Sequence, residues 1–209
     1  MLSRTRHQPN SSPLRRYILV VVSGMLMFSC NIKKDRSSSG YYPIDSLLKA
    51  QANALHRHRA EVSKTSSLSD VNETNTFHPK DIASWEKELA ALMEIDAINR
   101  PTYNGLYQVD KGLADTRSNL KVDAFTAQGD LPVQSLRIYY QDSPAKVRKI
   151  EAVLKEENSL YTSKKFFELE FQDIDRQNIL TAYTVEGEQK MYLKDSVHYK
   201  IAVAITLAN

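Results

Sequence analysis

From Leu106 to the C-terminus the sequence alternates apolar and polar residues at a period of two, run after run, and this pattern restricts the fold more than any other feature. Leu106 with Gln108 and Val109 makes a short run after Asn104-Gly105, and Leu120, Val122 and Ala124 alternate with Lys121, Asp123 and Phe125. Leu136, Ile138 and Tyr140 follow against Arg137 and Tyr139. Residues 147–155 suit a helix through Val147, Ile150, Val153 and Leu154, or a strand through Ile150, Ala152 and Leu154. Turn material on both sides, Asp142-Ser143-Pro144 and Glu157-Asn158-Ser159, favours the strand. Phe167, Leu169 and Phe171, then Ile179 to Val185, then Tyr199 to Leu207 complete the series. Consecutive strands joined by short turns predict an antiparallel meander with one apolar face.

That face needs a cover, and the N-terminal half offers two helices. Pro43 at a first helical position and Asp45 in the first turn open a helix over roughly 43–60, with Ile44, Leu47, Leu48, Leu55 and Val62 at helical spacing. A second helix spans 81–98, with Ile82, Trp85, Leu89 and Leu92 on one stripe and Asn99-Arg100-Pro101 as its stop. Trp85, the only tryptophan, reads as a core anchor. Between the helices, the Ser- and Thr-rich stretch 61–77 fits a polar two-strand hairpin turning near Ser69-Asp70-Val71-Asn72. The expected fold is α+β: a curved antiparallel meander of about six or seven strands with two amphipathic helices packed on one face. Such a shape is similar to the half-barrels of periplasmic lipoprotein and lipid carriers, an analogy of shape that does not fix function.

The first 29 residues carry Arg4, Arg6, Arg15 and Arg16 and no acid, followed by the apolar run Tyr17–Phe28 and then Ser29-Cys30. A basic start, a short apolar core and a small residue before the cut describe a secretory signal, and the run falls short of the roughly 20 apolar residues of a membrane span. Met27-Phe28-Ser29-Cys30 resembles the lipobox of bacterial lipoproteins, in its looser Bacteroidota form because Phe28 departs from the stricter pattern. The resemblance implies cleavage before Cys30 by signal peptidase II, a diacylglycerol on its sulfur and, usually, an acyl group on its freed amine. Cys30 is the only cysteine, so no intramolecular disulfide forms, and acylation gives the thiol a purpose. The sequence thus divides into a signal at 1–29, a lipidated cysteine and tether at 30–42, and a domain at 43–209.

Removing the signal changes the charge argument. Four of the 28 Lys and Arg lie in the first 29 residues, so the remainder carries 24 against 25 acids, about −1. No nucleic-acid partner follows from that balance. The tether Asn31–Gly40 is polar and aperiodic, and it lacks the acidic run that some Bacteroidota lipoproteins carry after the cysteine for surface export. The address this implies is the cell envelope, lipid-anchored at the outer membrane and on its periplasmic side.

Trp85-Glu86-Lys87-Glu88-Leu89 with Glu94-Ile95-Asp96 and Ile98-Asn99-Arg100-Pro101 resembles a group of uncharacterised Bacteroidota lipoproteins. That group shows a Trp-x-Lys-Glu-Leu helix leading to an acidic-Ile-Asn-basic-Pro turn; Ala97 lengthens the spacing here. It implies location and fold and assigns no activity.

Residues that carry chemistry are sparse. His56 and His58 sit two apart, on different faces of a helix, beside Arg57 and Arg59, which disfavours a shared metal ion. No Gly-x-Ser-x-Gly elbow, phosphate-cradling glycine loop or His-Glu-x-x-His is present, so neither catalytic residues nor a cofactor are expected. Tyr103, Tyr107, Tyr139, Tyr140, Tyr161 and Tyr183 could line a ligand or glycan surface, though tyrosine is ordinary strand composition. Three functions stand: a non-enzymatic binding or scaffolding module with an envelope protein or glycan partner, a carrier of lipid or lipoprotein acyl chains, and an envelope hydrolase. A carrier requires a cavity, and a hydrolase requires two carboxylates about 5–10 Å apart.

Overall fold

Pairing by period two builds one sheet of nine strands, all neighbours antiparallel. The computed structural model describes residues 40–68 and 71–208. The chain begins with helix α1 (Ile44–Arg57). The hairpin β1 (Glu61–Leu68) and β2 (Val71–Phe77) comes next. Helix α2 (Ile82–Glu88) and a 3-10 segment (Ala90–Asn99) then carry the chain from one edge of the sheet to the other. From there β3 (Tyr107–Ala114), β4 (Lys121–Ala127), β5 (Val133–Tyr140) and β6 (Val147–Glu157) run back. β7 (Tyr161–Ile174), β8 (Gln177–Met191) and β9 (Ser196–Thr206) finish the meander.

The spatial order is β2-β1-β9-β8-β7-β6-β5-β4-β3. The meander alone accounts for seven strands, in line with the alternation. The expected count of six or seven falls short because the 61–77 hairpin joins the same sheet, with Glu61–Leu68 paired along β9. Its alternation is faint: β1 buries only Val62 fully, and β2 is a polar outer strand with no buried residue. A strand that buries so little gives no signal that it belongs to the core sheet. The ambiguous stretch 147–155 is strand β6, paired on both sides.

The second helix also departs from expectation. Asp81 caps α2 by accepting the Ser84 N–H at 2.7 Å, but regular helix ends at Glu88. Beyond it Leu89, Leu92, Ile95 and Ile98 are all buried, at intervals of three. A 3-10 helix repeats every three residues and eclipses such a series into one line, whereas an α-helix would wind it off the core. Burial of that line sustains a 3-10 run well beyond its usual three or four residues.

One row of paired positions shows how the faces sort. Ile138, Ile150, Leu169, Tyr183 and Val203 lie side by side across five strands and are all buried. Trp85, Leu92, Ile95 and Ile98 have no exposed surface and seal this face together with Ile44, Leu48 and Leu55 of α1. Gln51, within the α1 stripe, accepts the Leu180 N–H at 2.9 Å and donates to Asn178 O at 2.8 Å. It thus satisfies β8 where the register shift opposite Glu170 and Phe171 opens the ladder.

Antiparallel register fixes which turns share an end. Leu106, the 128–132 loop, the 158–160 and 192–195 turns, and Leu68 with Val71 lie at one end, here called proximal. The turns 115–120, 141–146 and 175–176 lie at the other, distal end.

Candidate functional site

The N-terminal chain joins the domain through a clamp built on Asn99, from which the Tyr42 hydroxyl reaches the distal 141–146 turn and donates to Pro144 O at 3.3 Å. Its Oδ1 accepts the Tyr41 N–H at 2.8 Å, while its Nδ2 donates to Tyr42 O and to Asp96 Oδ1, both at 2.7 Å. Asp96 Oδ1 also accepts the Asp45 N–H at 3.3 Å, close to the start of α1. Tyr41 donates its hydroxyl to Tyr103 O at 3.0 Å and accepts the Gly105 N–H at 2.8 Å. Its ring stands edge-on to Tyr107, 4.9 Å between centroids, and to Phe125 at 5.9 Å. Tyr41 and Tyr42, assigned to the tether by sequence, therefore belong to the packed domain. Burial raises the Tyr42 and Tyr107 hydroxyls to about 12 each, with the Asp123 charge adding to the first and Tyr103 to the second. Both remain neutral donors and acceptors at physiological pH.

Beside the clamp, a cleft of about 430 Å³ opens between the 3-10 segment and the proximal ends of β5, β6 and β7. Its apolar surface comes from Ala97, Leu131, Pro132 and Leu154, and Arg100, Asp130 and Glu156 stand round it. Glu94 binds Lys165 through both carboxylate oxygens, at 2.9 and 2.6 Å, so one wall of the cleft is an ion pair between the helical layer and the sheet. Lys155 holds Glu157 at 2.6 Å; that hydrogen bond, then the charge of Lys155, keeps the exposed Glu157 carboxyl below its usual value. Size, apolar floor and charged rim suit an amphipathic ligand or peptide segment.

Other polar clusters have structural roles. Glu88, nearly buried, accepts Lys64 Nζ and the Tyr183 hydroxyl on one carboxylate oxygen, each at 2.6 Å, and so pins the end of α2 to β1 and β8. Burial, then the hydrogen bond to Glu88, drives the Tyr183 hydroxyl far upward. Asp123 is buried and its Oδ1 accepts the Gly112 N–H and the Tyr140 hydroxyl, both at 2.9 Å. Gly112 takes φ 68° within the β3 bulge, a conformation that favours glycine. On the uncovered face Glu151 accepts Lys149 Nζ and the Tyr139 hydroxyl at 2.6 Å each, with the Lys149 ammonium 4.4 Å from the Tyr139 ring centroid. Burial opposes ionisation of Glu151, yet these two hydrogen bonds outweigh it and hold the carboxyl below its ordinary value.

Cys30, the residue read as the lipid attachment site, lies outside the described residues, as do the signal at 1–29 and most of the tether. His56 lies in the last turn of α1, which ends at Arg57, and His58 is its C-terminal capping residue; among the described residues no group of three His, Cys, Asp or Glu is placed to hold a metal ion. Of the tyrosines considered for a ligand surface, Tyr107, Tyr139, Tyr140 and Tyr183 are buried with bonded hydroxyls. The clamp and cleft residues had only weak marks in the sequence. Asn99 appears there as a helix stop, while Leu131-Pro132 and Leu154 meet Ala97 only through the fold.

No family model matches the chain, and no curated protein sequence does. Among solved structures, a LolA superfamily protein from Nitrosomonas europaea matches over 76% of this chain and 94% of its own, at 10% identity and a TM-score of 0.29. A superposition that loose carries no argument about fold or ligand.

Proposed function

We propose that the protein is an envelope lipoprotein, held by acyl chains on Cys30 at the periplasmic side of the outer membrane, whose domain is a non-enzymatic binding module for an envelope protein or glycan. The observation that supports a binding module is the division of the covered face. Trp85, Leu92, Ile95 and Ile98 fill its middle without exposed surface, while the 430 Å³ cleft beside Arg100 remains open at the proximal rim. A ligand taken there meets apolar surface flanked by charge and need not displace the core. The lipobox-like segment supports the anchor, since two or three acyl chains give stable attachment where one does not.

Intact mass and membrane partition of the protein made in a Bacteroidota host, beside Cys30→Ala, test the anchor. Acyl mass on the parent and its loss in the variant are expected; an unmodified Cys30 sinks the reading. Photo-crosslinking from Arg100 should capture envelope components, and capture equal to that from Asn119 at the distal end argues against the cleft.

A carrier of acyl chains is the second reading, favoured by the apolar floor of Ala97, Leu131, Pro132 and Leu154 under the edge of the helical layer. Lengthening that floor into a chain-sized tunnel would require Ile95 and Ile98 to lift from the sheet. Lipid extracted with the purified Cys30→Ala protein, at near one chain per molecule, would move the assignment to this reading.

A further inference from the structure

The two edges of the sheet are finished differently. β3, at one edge, is broken by the bulge between Asp110 and Leu113; Lys111 stands within it, and Gly112 turns its N–H inward to Asp123. A bulge and a lysine are devices that keep an edge from pairing with another chain. β2, at the other edge, has neither. Its seven residues pair with β1 at every position without a register shift, and they include no proline, no lysine and one charge, Glu73. In an antiparallel edge strand alternate residues turn N–H and C=O away from their neighbour. Among the described residues no backbone hydrogen bond from outside the sheet reaches β2. Unpaired edge groups of this kind are a template for another strand.

Any extended chain could supply the hydrogen bonds, and the side chains select one. Two copies of β2 related by a two-fold axis normal to the sheet run antiparallel, with outward residues against outward residues, so the axis passes through a residue and its own copy. Centred on Glu73, the pair would set two carboxylates face to face, which destabilises. Centred on Asn72 or Asn75, it would place Glu73 against Val71 or Phe77 and leave part of the strand without a partner. Centred on Thr74, it pairs all seven residues: Val71 with Phe77, Asn72 with Thr76, Glu73 with Asn75, and Thr74 with its copy. Val71, 71% exposed in the single chain, then gains an aromatic neighbour, and the Asn75 amide offers donors to Glu73. On the uncovered face Thr74 already continues the row of Thr184, Ala202 and Thr65, with the Thr65 and Thr74 hydroxyls 3.0 Å apart. The second copy extends that row with Thr74 again.

We infer that β2 pairs with β2 of a second copy of this chain, in antiparallel register centred on Thr74. The two nine-stranded sheets become one continuous sheet with both helical layers on the same side. Pairing shields a hairpin whose one fully buried apolar side chain is Val62. It leaves the proximal cleft of each copy, at β5 to β7, open, so the dimer presents two.

Cross-linking reads the register directly, because the chain has one cysteine and that residue can be removed. Facing residues of an antiparallel pair have Cα atoms about 4.5 or 5.5 Å apart, inside the roughly 4.4–6.8 Å window of a disulfide. In full-length Cys30→Ala protein held in excess detergent, Thr74→Cys should oxidise to a disulfide-linked dimer. Asn72→Cys and Thr76→Cys should each stay uncross-linked alone, since each lies about 14 Å along the strands from its own copy, and should cross-link when mixed. No dimer from Thr74→Cys, or equal cross-linking of the three variants alone, overturns the pairing. Charge gives a second readout at the same exposed position. In the Cys30→Ala background Thr74→Lys sets two ammonium groups face to face, so the dimer seen by analytical ultracentrifugation should dissociate, and mixing with Thr74→Glu should restore it. A dimer that persists in Thr74→Lys alone, or a parent that is monomeric at the concentrations used for cross-linking, also overturns the inference.

Discussion

Gly187 and Tyr199 show how far one atom can reach in this sheet. They are direct partners on β8 and β9, and the Tyr199 ring lies over Gly187 in the space a Cβ would fill. A side chain at 187 must push the ring aside, so Gly187→Ala should cost about 1–3 kcal/mol in urea denaturation, as overpacking does. In a Tyr199→Ala background the same change should cost little, and equal costs in both backgrounds would remove the ring from the explanation. Asp123 poses the opposite case, a buried acceptor shared by two donors. Asp123→Ala leaves the Gly112 N–H and the buried Tyr140 hydroxyl without their acceptor, with an expected loss of about 1–3 kcal/mol, while Asp123→Asn keeps an oxygen and should lose less. Tyr183 sets an alkaline limit. Its native hydroxyl holds its proton above the ordinary tyrosine value of about 10, so its contribution is complete below that pH. Above it the unfolded chain releases a proton that the native state keeps, and stability falls as pH rises. Tyr183→Phe should be less stable at neutral pH, through loss of the bond to Glu88, and should decline less steeply from pH 10 upward. Parallel curves for the two proteins would contradict this, although Tyr42 and Tyr107 add to the slope in both.

At the scale of elements, the 3-10 segment carries the cover of the sheet and the clearest stability prediction. Ile95 is fully buried among sheet residues, while Met93 beside it is half-buried. Ile95→Ala should cost about 2–5 kcal/mol and Met93→Ala clearly less; the reverse order would mean that the segment packs as an α-helix with a different stripe. This element also shows what the sequence conveys and what it hides. Six of the seven meander strands are legible because each buries one face of a pleat, so their residues must alternate, whereas β3 buries only Tyr107 and is marked mainly by the Asn104-Gly105 turn before it. The segment 89–98 is legible as apolar and periodic, yet Ile82, Trp85, Leu89 and Leu92 fit a period of 3.6 as well as Leu89, Leu92, Ile95 and Ile98 fit a period of three. The choice follows from which residues the sheet buries, which is not local information. Polar contacts are hidden more deeply. Gln51 reads as a flaw in an apolar stripe until β8 presents the unpaired Leu180 N–H, and Asn99 reads as a helix stop until Tyr41 arrives from 58 residues upstream.

The whole sheet closes through its longest-range pairing, and this orders its stability. β3 to β9 pair with their sequence neighbours, whereas β1 pairs with β9 across more than 130 residues, from Leu68↔Tyr199 to Glu61↔Thr206. Bringing such distant segments together costs loop-closure entropy that local hairpins avoid, and only Val62 of the hairpin contributes a fully buried apolar side chain in return. β2, outermost, buries none. The hairpin should therefore open before the meander as a unit of low local stability. Native-state hydrogen exchange measures this: amides of β1 and β2 should exchange by sub-global opening, faster than those of β6, β7 and β8 at the centre of the sheet. Opening would expose Ile201, Val203 and Ile205 of β9 along a long unpaired edge, which favours association with another chain. The tied ends oppose it, since Ala60 N–H donates to Leu55 O and Ala208 N–H to His58 O, fastening β1 and the C-terminus to α1. Truncation after Leu207 removes the second tie and should raise exchange in β1 and β9 while leaving β4 to β7 unchanged. Uniform acceleration across all nine strands would instead show that the sheet opens only as a whole.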